Sequence, residues 1–168
     1  MFELAGQPLR QAKLWTFDGS TDGFTAAKSQ LSLADDKGLH VRVVDPPLRS
    51  PRDLEIEGWS YSLVLVRLTR LKRGKTWDGA LYYTTETHPE SVQFLAKPIS
   101  GADPAIHETS ILVYDMTRLT VGGEDWRNSI IDQIRLDLED QPGGEFLIHQ
   151  VAIAASSNAP ALLAPSLR

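Results

Sequence analysis

The chain has 168 residues, a formal net charge of −5 and no cysteine. That length suits one domain with a real hydrophobic core. The acidic balance excludes a phosphate-binding nucleic-acid surface, and the lack of thiols excludes disulfides and thiolate metal sites. No stretch of about 20 apolar residues occurs, so no membrane-spanning helix is expected. The opening MFELAGQPLRQAK carries no apolar signal core, and assembly in a reducing cytoplasm is the expectation.

Residues 1–12 read as an irregular N-terminal arm. From residue 13 onward, short runs of Val, Ile, Leu, Thr and Tyr alternate with turn clusters at Asp18–Gly23, Asp35–Gly38, Asp45–Pro51, Gly74–Gly79, Ser100–Pro104, Gly122–Asp125 and Asp140–Gly144. Many short strands between turn signals predict an all-β sandwich or barrel. Leu39, Val41 and Val43 alternate with His40 and Arg42, as on a strand with one face in the core. Tyr61–Arg70 is apolar on both faces, which predicts a central strand covered twice. The basic residues Arg67, Arg70, Lys72, Arg73 and Lys75 are expected to form a solvated edge that discourages edge-to-edge pairing. Asp115–Leu119 reads as a single helical turn with Asp115 as N-cap, and Asp125–Ser129 as a second short turn. Ile134, Leu136 and Leu138 alternate with Arg135 and Asp137, and Phe146–Ile153 closes the core. Residues 156–168, SSNAPALLAPSLR, form an Ala/Pro-rich C-terminal tail that cannot fold alone and either docks on a neighbour or frays. The expected unit is therefore a jelly-roll β-sandwich of two antiparallel sheets over residues 13–155, with eight to ten strands and two irregular tails.

Three motifs recur in order: D-P-x-L-x-S-P at Asp45–Pro51, W-D-G-x-L-Y-Y at Trp77–Tyr83, and D-M…G-G-x-D-W…I-x-x-I-R-L-D within Asp115–Asp137. In that order the chain resembles the jelly-roll, carbohydrate-binding-module-like domains of tailed-phage tail and host-specificity proteins. The last strand departs from the pattern: His149 stands where such domains carry Asp. The resemblance implies a bacteriophage virion structural protein, tail-associated or decorating the particle, assembled in the host cytoplasm. Its implied partners are other virion proteins, further copies of itself in a symmetric assembly, and host surface polysaccharide. The alternative is a dedicated glycan-binding adhesin, and a polysaccharide-degrading enzyme ranks below both.

The candidate carbohydrate contacts are Trp77, Asp78, Tyr82 and Tyr83. Flat rings pack on sugar C–H faces while carboxylates take hydroxyls. Tyr82 and Tyr83 are neighbours in a strand, so they point to opposite faces and only one can join a given site. Trp59 is a further stacking candidate, while Trp126 is expected to plug the core. His40, His88, His107 and His149 lack metal-ligand spacing, and His149 is expected to hydrogen-bond within the sheet. Asp18, Asp22, Asp35, Asp36, Asp137, Glu139 and Asp140 could supply oxygens to a structural calcium, without EF-hand spacing. No nucleophile elbow, phosphate loop or cofactor fingerprint is present, so no catalytic residue is expected.

Overall fold

Alternating branched and aromatic residues between Gly, Pro and Asp turns produce strands almost throughout. The computed structural model describes residues 3–4, 7–26, 31–33, 38–99 and 103–155. Among them lie β1 (Glu3–Leu4), β2 (Gln7–Pro8), β3 (Gln11–Trp15), β4 (Thr25–Ala26), β5 (Leu31–Leu33), β6 (Leu39–Arg42) and β7 (Pro47–Arg49). They continue with β8 (Ile56–Glu57), β9 (Leu63–Lys72), β10 (Trp77–Thr85), β11 (Leu95–Ala96), β12 (Thr109–Asp115), β13 (Ile130–Glu139) and β14 (Glu145–Ala154). One 3-10 turn, Trp126–Asn128, falls where the second short turn is expected. The other, Asp115–Leu119, is not helical. There Asp115 Oδ1 accepts from the Thr117 amide and hydroxyl, a local bond that competes with a helix.

Two antiparallel six-stranded sheets stack face to face as a jelly-roll β-sandwich. One runs β11-β10-β13-β7-β4, with β8 also on β13; the other runs β12-β9-β14-β6-β5, with β3 also on β14. The fourteen strands among the described residues exceed the expected eight to ten because seven of them are only two or three residues long and carry no readable period. Between the sheets, Trp15, Phe17, Phe24, Leu39, Val41 and Leu48 pack against Val64, Val66, Leu68, Leu81, Tyr83 and Trp126. Each large side chain so buried contributes roughly 1.5–3 kcal/mol.

β9 pairs with both β12 and β14, and its outer face is covered as well. Leu63, Leu65, Val113, Ala152 and Ala154 form a second apolar cluster with Leu9. Leu9 therefore lies against the sandwich rather than in a free arm. β3 also begins at Gln11, inside the residues read as that arm, and Arg10 O accepts from the Ala155 amide at 2.7 Å. The C-terminal tail, 156–168, falls outside the described residues.

The basic cluster is not a solvated edge. β9 is interior to its sheet; Lys72, Arg73 and Lys75 are exposed, while Arg67 is half-buried. Arg70 is 1% exposed and pairs at 3.1 Å with Glu139, which is 0% exposed. Arg67 Nη1 donates to Gln150. Even-numbered residues of β9 point inward, so Arg70 enters the core on the same face as Val64, Val66 and Leu68.

Trp126 is fully buried, and its indole donates to Tyr61 O at 2.9 Å. A Cβ at Gly58 would lie 1.8 Å from Trp126 O, a backbone atom that cannot move aside. Gly58→Ala is therefore expected to cost about 2 kcal/mol or more as overpacking. Urea denaturation checks it, and an unshifted midpoint would show that this turn relaxes freely.

Candidate functional site

β10 sorts the four sequence candidates by face. Trp77 packs partly into the core, its ring 6.1 Å from that of Phe146 and beneath the Arg70 guanidinium. Tyr83 is 0% exposed, packs edge-on against Trp126, and donates its hydroxyl to Asp125 Oδ2 at 2.7 Å. It has no free ring face, so Tyr83 is corrected to a core residue. Strand alternation turns Tyr82 the other way, onto the outer face of the β10–β13 sheet, and Asp78, beyond the Gly79 bulge, is near enough for its charge to act on the Tyr82 phenol. Trp77-Asp78-Gly79 is strand rather than turn. Gly79 has φ +74° and the register shifts between Trp77 and Ala80, a bulge that only glycine enters without strain.

β13 and β7 add residues that the sequence did not place among the carbohydrate contacts. Tyr82 is paired with Arg135 across the strands, and the Arg135 guanidinium lies 4.7 Å from the Tyr82 ring centre. Arg135 Nε and Nη2 donate to Asp137 at 2.8 and 2.6 Å, and Nη1 donates to Glu90 at 3.0 Å. Arg49 of β7 grips the same Glu90 through Nε and Nη2 at 2.8 and 2.9 Å. Glu90 arrives from the loop after β10. That loop is tied down by His88, which hydrogen-bonds Asp125 Oδ2 at 2.6 Å and Pro89 O at 2.8 Å and stacks on Phe94. Arg135 and Asp137 are visible in the sequence as the polar alternates of a strand. Glu90 and Arg49 carry no such signal, because a loop brings them together.

At one end of the face Lys97 Nζ bonds Asp78 Oδ1 and, at 3.2 Å, Asp78 O. At the other, Thr84 donates to Asp132 Oδ2 at 3.2 Å, next to an open cavity of about 210 Å³ bordered by Asp53, Glu55, Glu86 and Asp132. From Asp78 to Thr84 the face runs about 20 Å at the usual rise per strand residue.

The electrostatics are set by these pairings. Burial raises the Asp78 carboxyl above its ordinary range; Lys97 opposes this and Asp140 adds to it. Burial also raises the Tyr82 phenol, helped by the charges of Asp137 and Asp78, so its O–H remains a donor. The Arg49 hydrogen bond holds Glu90 below its usual range, against burial and with help from Arg135. A folded-state value below the unfolded one means that Glu90 contributes stability above the usual glutamate range. That contribution is lost as pH falls through the lowered value. Glu90→Gln should accordingly narrow its stability deficit relative to wild type below about pH 4. Denaturation midpoints across acid pH check this; a deficit independent of pH would contradict it.

Several remaining candidates fall elsewhere. Trp59 is 57% exposed on the turn between β8 and β9, and none of the pairings that build this face includes it. His149 Nε2 hydrogen-bonds Thr69 Oγ1 at 2.8 Å within the opposite sheet, as expected. Asp22 Oδ2 accepts the Phe17 amide, Asp137 is held by Arg135 and Glu139 by Arg70. Asp35 and Asp36 lie outside the described residues. Among the described residues no cluster of three His, Asp or Glu could hold a metal ion. No helix among them is long and apolar enough to cross a membrane.

No family model matches the chain, and no curated protein does. Solved structures do. The chain is similar to the N-terminal endo-1,4-beta-D-xylanase 10B of Clostridium thermocellum, CBM22-1 and GH10 modules complexed with xylohexaose. That match has TM-score 0.59 and 12% identity, over 89% of this chain and 29% of that one. The fold is carbohydrate-binding-module-like. This chain spans less than a third of that two-module structure, and at such identity the likeness concerns fold alone. Further similar structures are the family 29 carbohydrate binding module CBM29_1 from Piromyces equi and CsCBM6-3 from Clostridium stercorarium in complex with cellobiose. The first has TM-score 0.49 and 10% identity over 80% of this chain and 82% of that one. The second has TM-score 0.47 and 10% identity over 89% and 98%.

Proposed function

We propose that this chain is a non-catalytic glycan-binding module whose ligand lies along the outer face of the β10–β13 sheet, with Tyr82 at its centre. One observation carries the reading. A half-buried tyrosine ring stands on an outward sheet face among carboxylates and guanidinium groups that hold one another fixed. Such a surface offers an apolar plane for sugar C–H groups, and acceptors for hydroxyls whose positions need no reordering on binding. The xylohexaose-complexed structure of similar fold supports the ligand class. Affinity electrophoresis through gels cast with neutral and acidic polysaccharides tests it. Retarded migration in at least one gel is expected, and unaltered mobility of the folded chain in all of them would refute it.

The finer reading places the module in a phage virion, in several copies docked on neighbouring virion proteins, where it contacts host polysaccharide. It rests on the resemblance carried by Asp45–Pro51, Trp77–Tyr83 and Asp115–Asp137. Removal of residues 156–168 should then abolish incorporation into particles while leaving the sandwich folded; wild-type incorporation would count against it. Deleting residues 1–11 would be a poor test, because Leu9 and Gln11 belong to the sandwich.

A further inference from the structure

On the outer face Arg49 and Arg135 are both engaged by carboxylates. Arg135 spends Nε and Nη2 on Asp137 and Nη1 on Glu90. Arg49 spends Nε and Nη2 on Glu90. Lys97, at one end of the face, is held by Asp78, and Arg52 lies 3.6 Å from Asp132 at the other. In both arginines the Nε–Nη2 edge, the fork by which arginine recognises an anion two-pronged, is already on a carboxylate, and the carboxylates balance both positive charges. The carboxylates are in the opposite position. Each oxygen has more than one lone-pair direction, so Asp137, Asp78 and Glu90 can accept from a sugar hydroxyl while staying paired.

We propose that Glu90 sets the charge specificity of this face. By holding Arg49 and Arg135 together it makes the face accept neutral, hydroxyl-rich sugars and refuse those bearing carboxylates. Glu90 differs from the other acids of the face because it is the only one of them shared by two arginines, and it comes from a loop rather than from the sheet. It can therefore be changed without touching the strands. Without its charge, the Arg49 fork and one arm of Arg135 lose their carboxylate, two strands and one strand away from Tyr82 respectively. They would then seat a uronate carboxylate, while Asp137 still holds the rest of Arg135.

This rests on the proposed glycan-binding reading, and the experiment separates the two. The probes are short uronic-acid oligosaccharides, each paired with its own carboxyl-reduced form. The two members of a pair share linkage and length and differ only in charge. Wild type should bind at least one reduced member about tenfold or more tightly than its acid parent. Glu90→Gln should bring that ratio to one or reverse it, and adding Arg49→Gln should restore the preference for the reduced form. Equal binding of both members by wild type, or an unchanged ratio in Glu90→Gln, overturns the role of Glu90 and leaves glycan binding standing. If wild type binds no member at millimolar concentration, the glycan reading fails. The masking of the arginines is then judged from their Nε NMR signals on adding glucuronate. A response in Glu90→Gln but not in wild type supports masking, and silence in both overturns it.

Discussion

Glu139→Ala is expected to lower stability by roughly 3–5 kcal/mol, because it leaves the Arg70 guanidinium charged and buried without its carboxylate. Arg70 is wedged between the rings of Trp77 and Phe146, and its remaining contacts, Pro104 O at 3.3 Å and Asp103 at 3.6 Å, are longer than the 3.1 Å bond to Glu139. Glu139 also accepts the Gly74 amide at 3.0 Å, so the turn after β9 loses its anchor at the same time. A loss of this size is a large share of the stability of an ordinary domain. The pair is imperfectly satisfied: among the described residues Arg70 Nε and Glu139 Oε1 have no hydrogen-bond partner. An Arg70→Met, Glu139→Leu double variant should therefore recover most of the loss, since well-packed apolar residues often replace a buried ion pair at little cost. Urea midpoints of wild type and the two variants decide it. A single Glu139→Ala change that leaves the midpoint in place would mean that the pair is solvated in solution.

Tyr82→Ala is expected to weaken glycan binding by about 2 kcal/mol, roughly thirtyfold, while changing stability by less than about 1 kcal/mol. The asymmetry follows from the face it occupies. Its ring supports Arg135 on the outer surface and contributes nothing to the inter-sheet core, whereas its neighbour Tyr83 is packed on Trp126. Tyr82→Phe keeps the plane and removes the hydroxyl, so it should lose less than Tyr82→Ala. Calorimetric titration checks both. If Tyr82→Ala binds as tightly as wild type, the plane is elsewhere, and Trp59 is the next residue to change.

The core strands were legible because their period is long and regular. β6 and β13 show the two-residue alternation, and β9 and β14 carry consecutive apolar residues, as strands covered on both sides do. Strands as short as β4, β8 and β11 have no period to read, and only pairing to a neighbour defines them. Arg70 was misplaced for a related reason. Five basic residues close in sequence look like one exposed cluster, but alternation sends Arg70 into the core, while β12 and β14 on either side make β9 interior. In the site, alternation alone separates Tyr82 from Tyr83. Which of the two faces outward depends on the register to β13, set by Tyr82 lying opposite Arg135. Glu90 was out of reach, since 41 residues separate it from Arg49 and only the folded loop joins them.

The most direct test is an amide NMR titration of the folded chain with a soluble oligosaccharide that retards it in the gel assay. The expected shifts concentrate on Tyr82, Thr84, Gln133, Arg135 and Asp137, with Glu90 following through its arginines. Saturable shifts confined to the opposite sheet, around Thr69 and His149, or to the turn at Trp59, would contradict the assignment of the β10–β13 face.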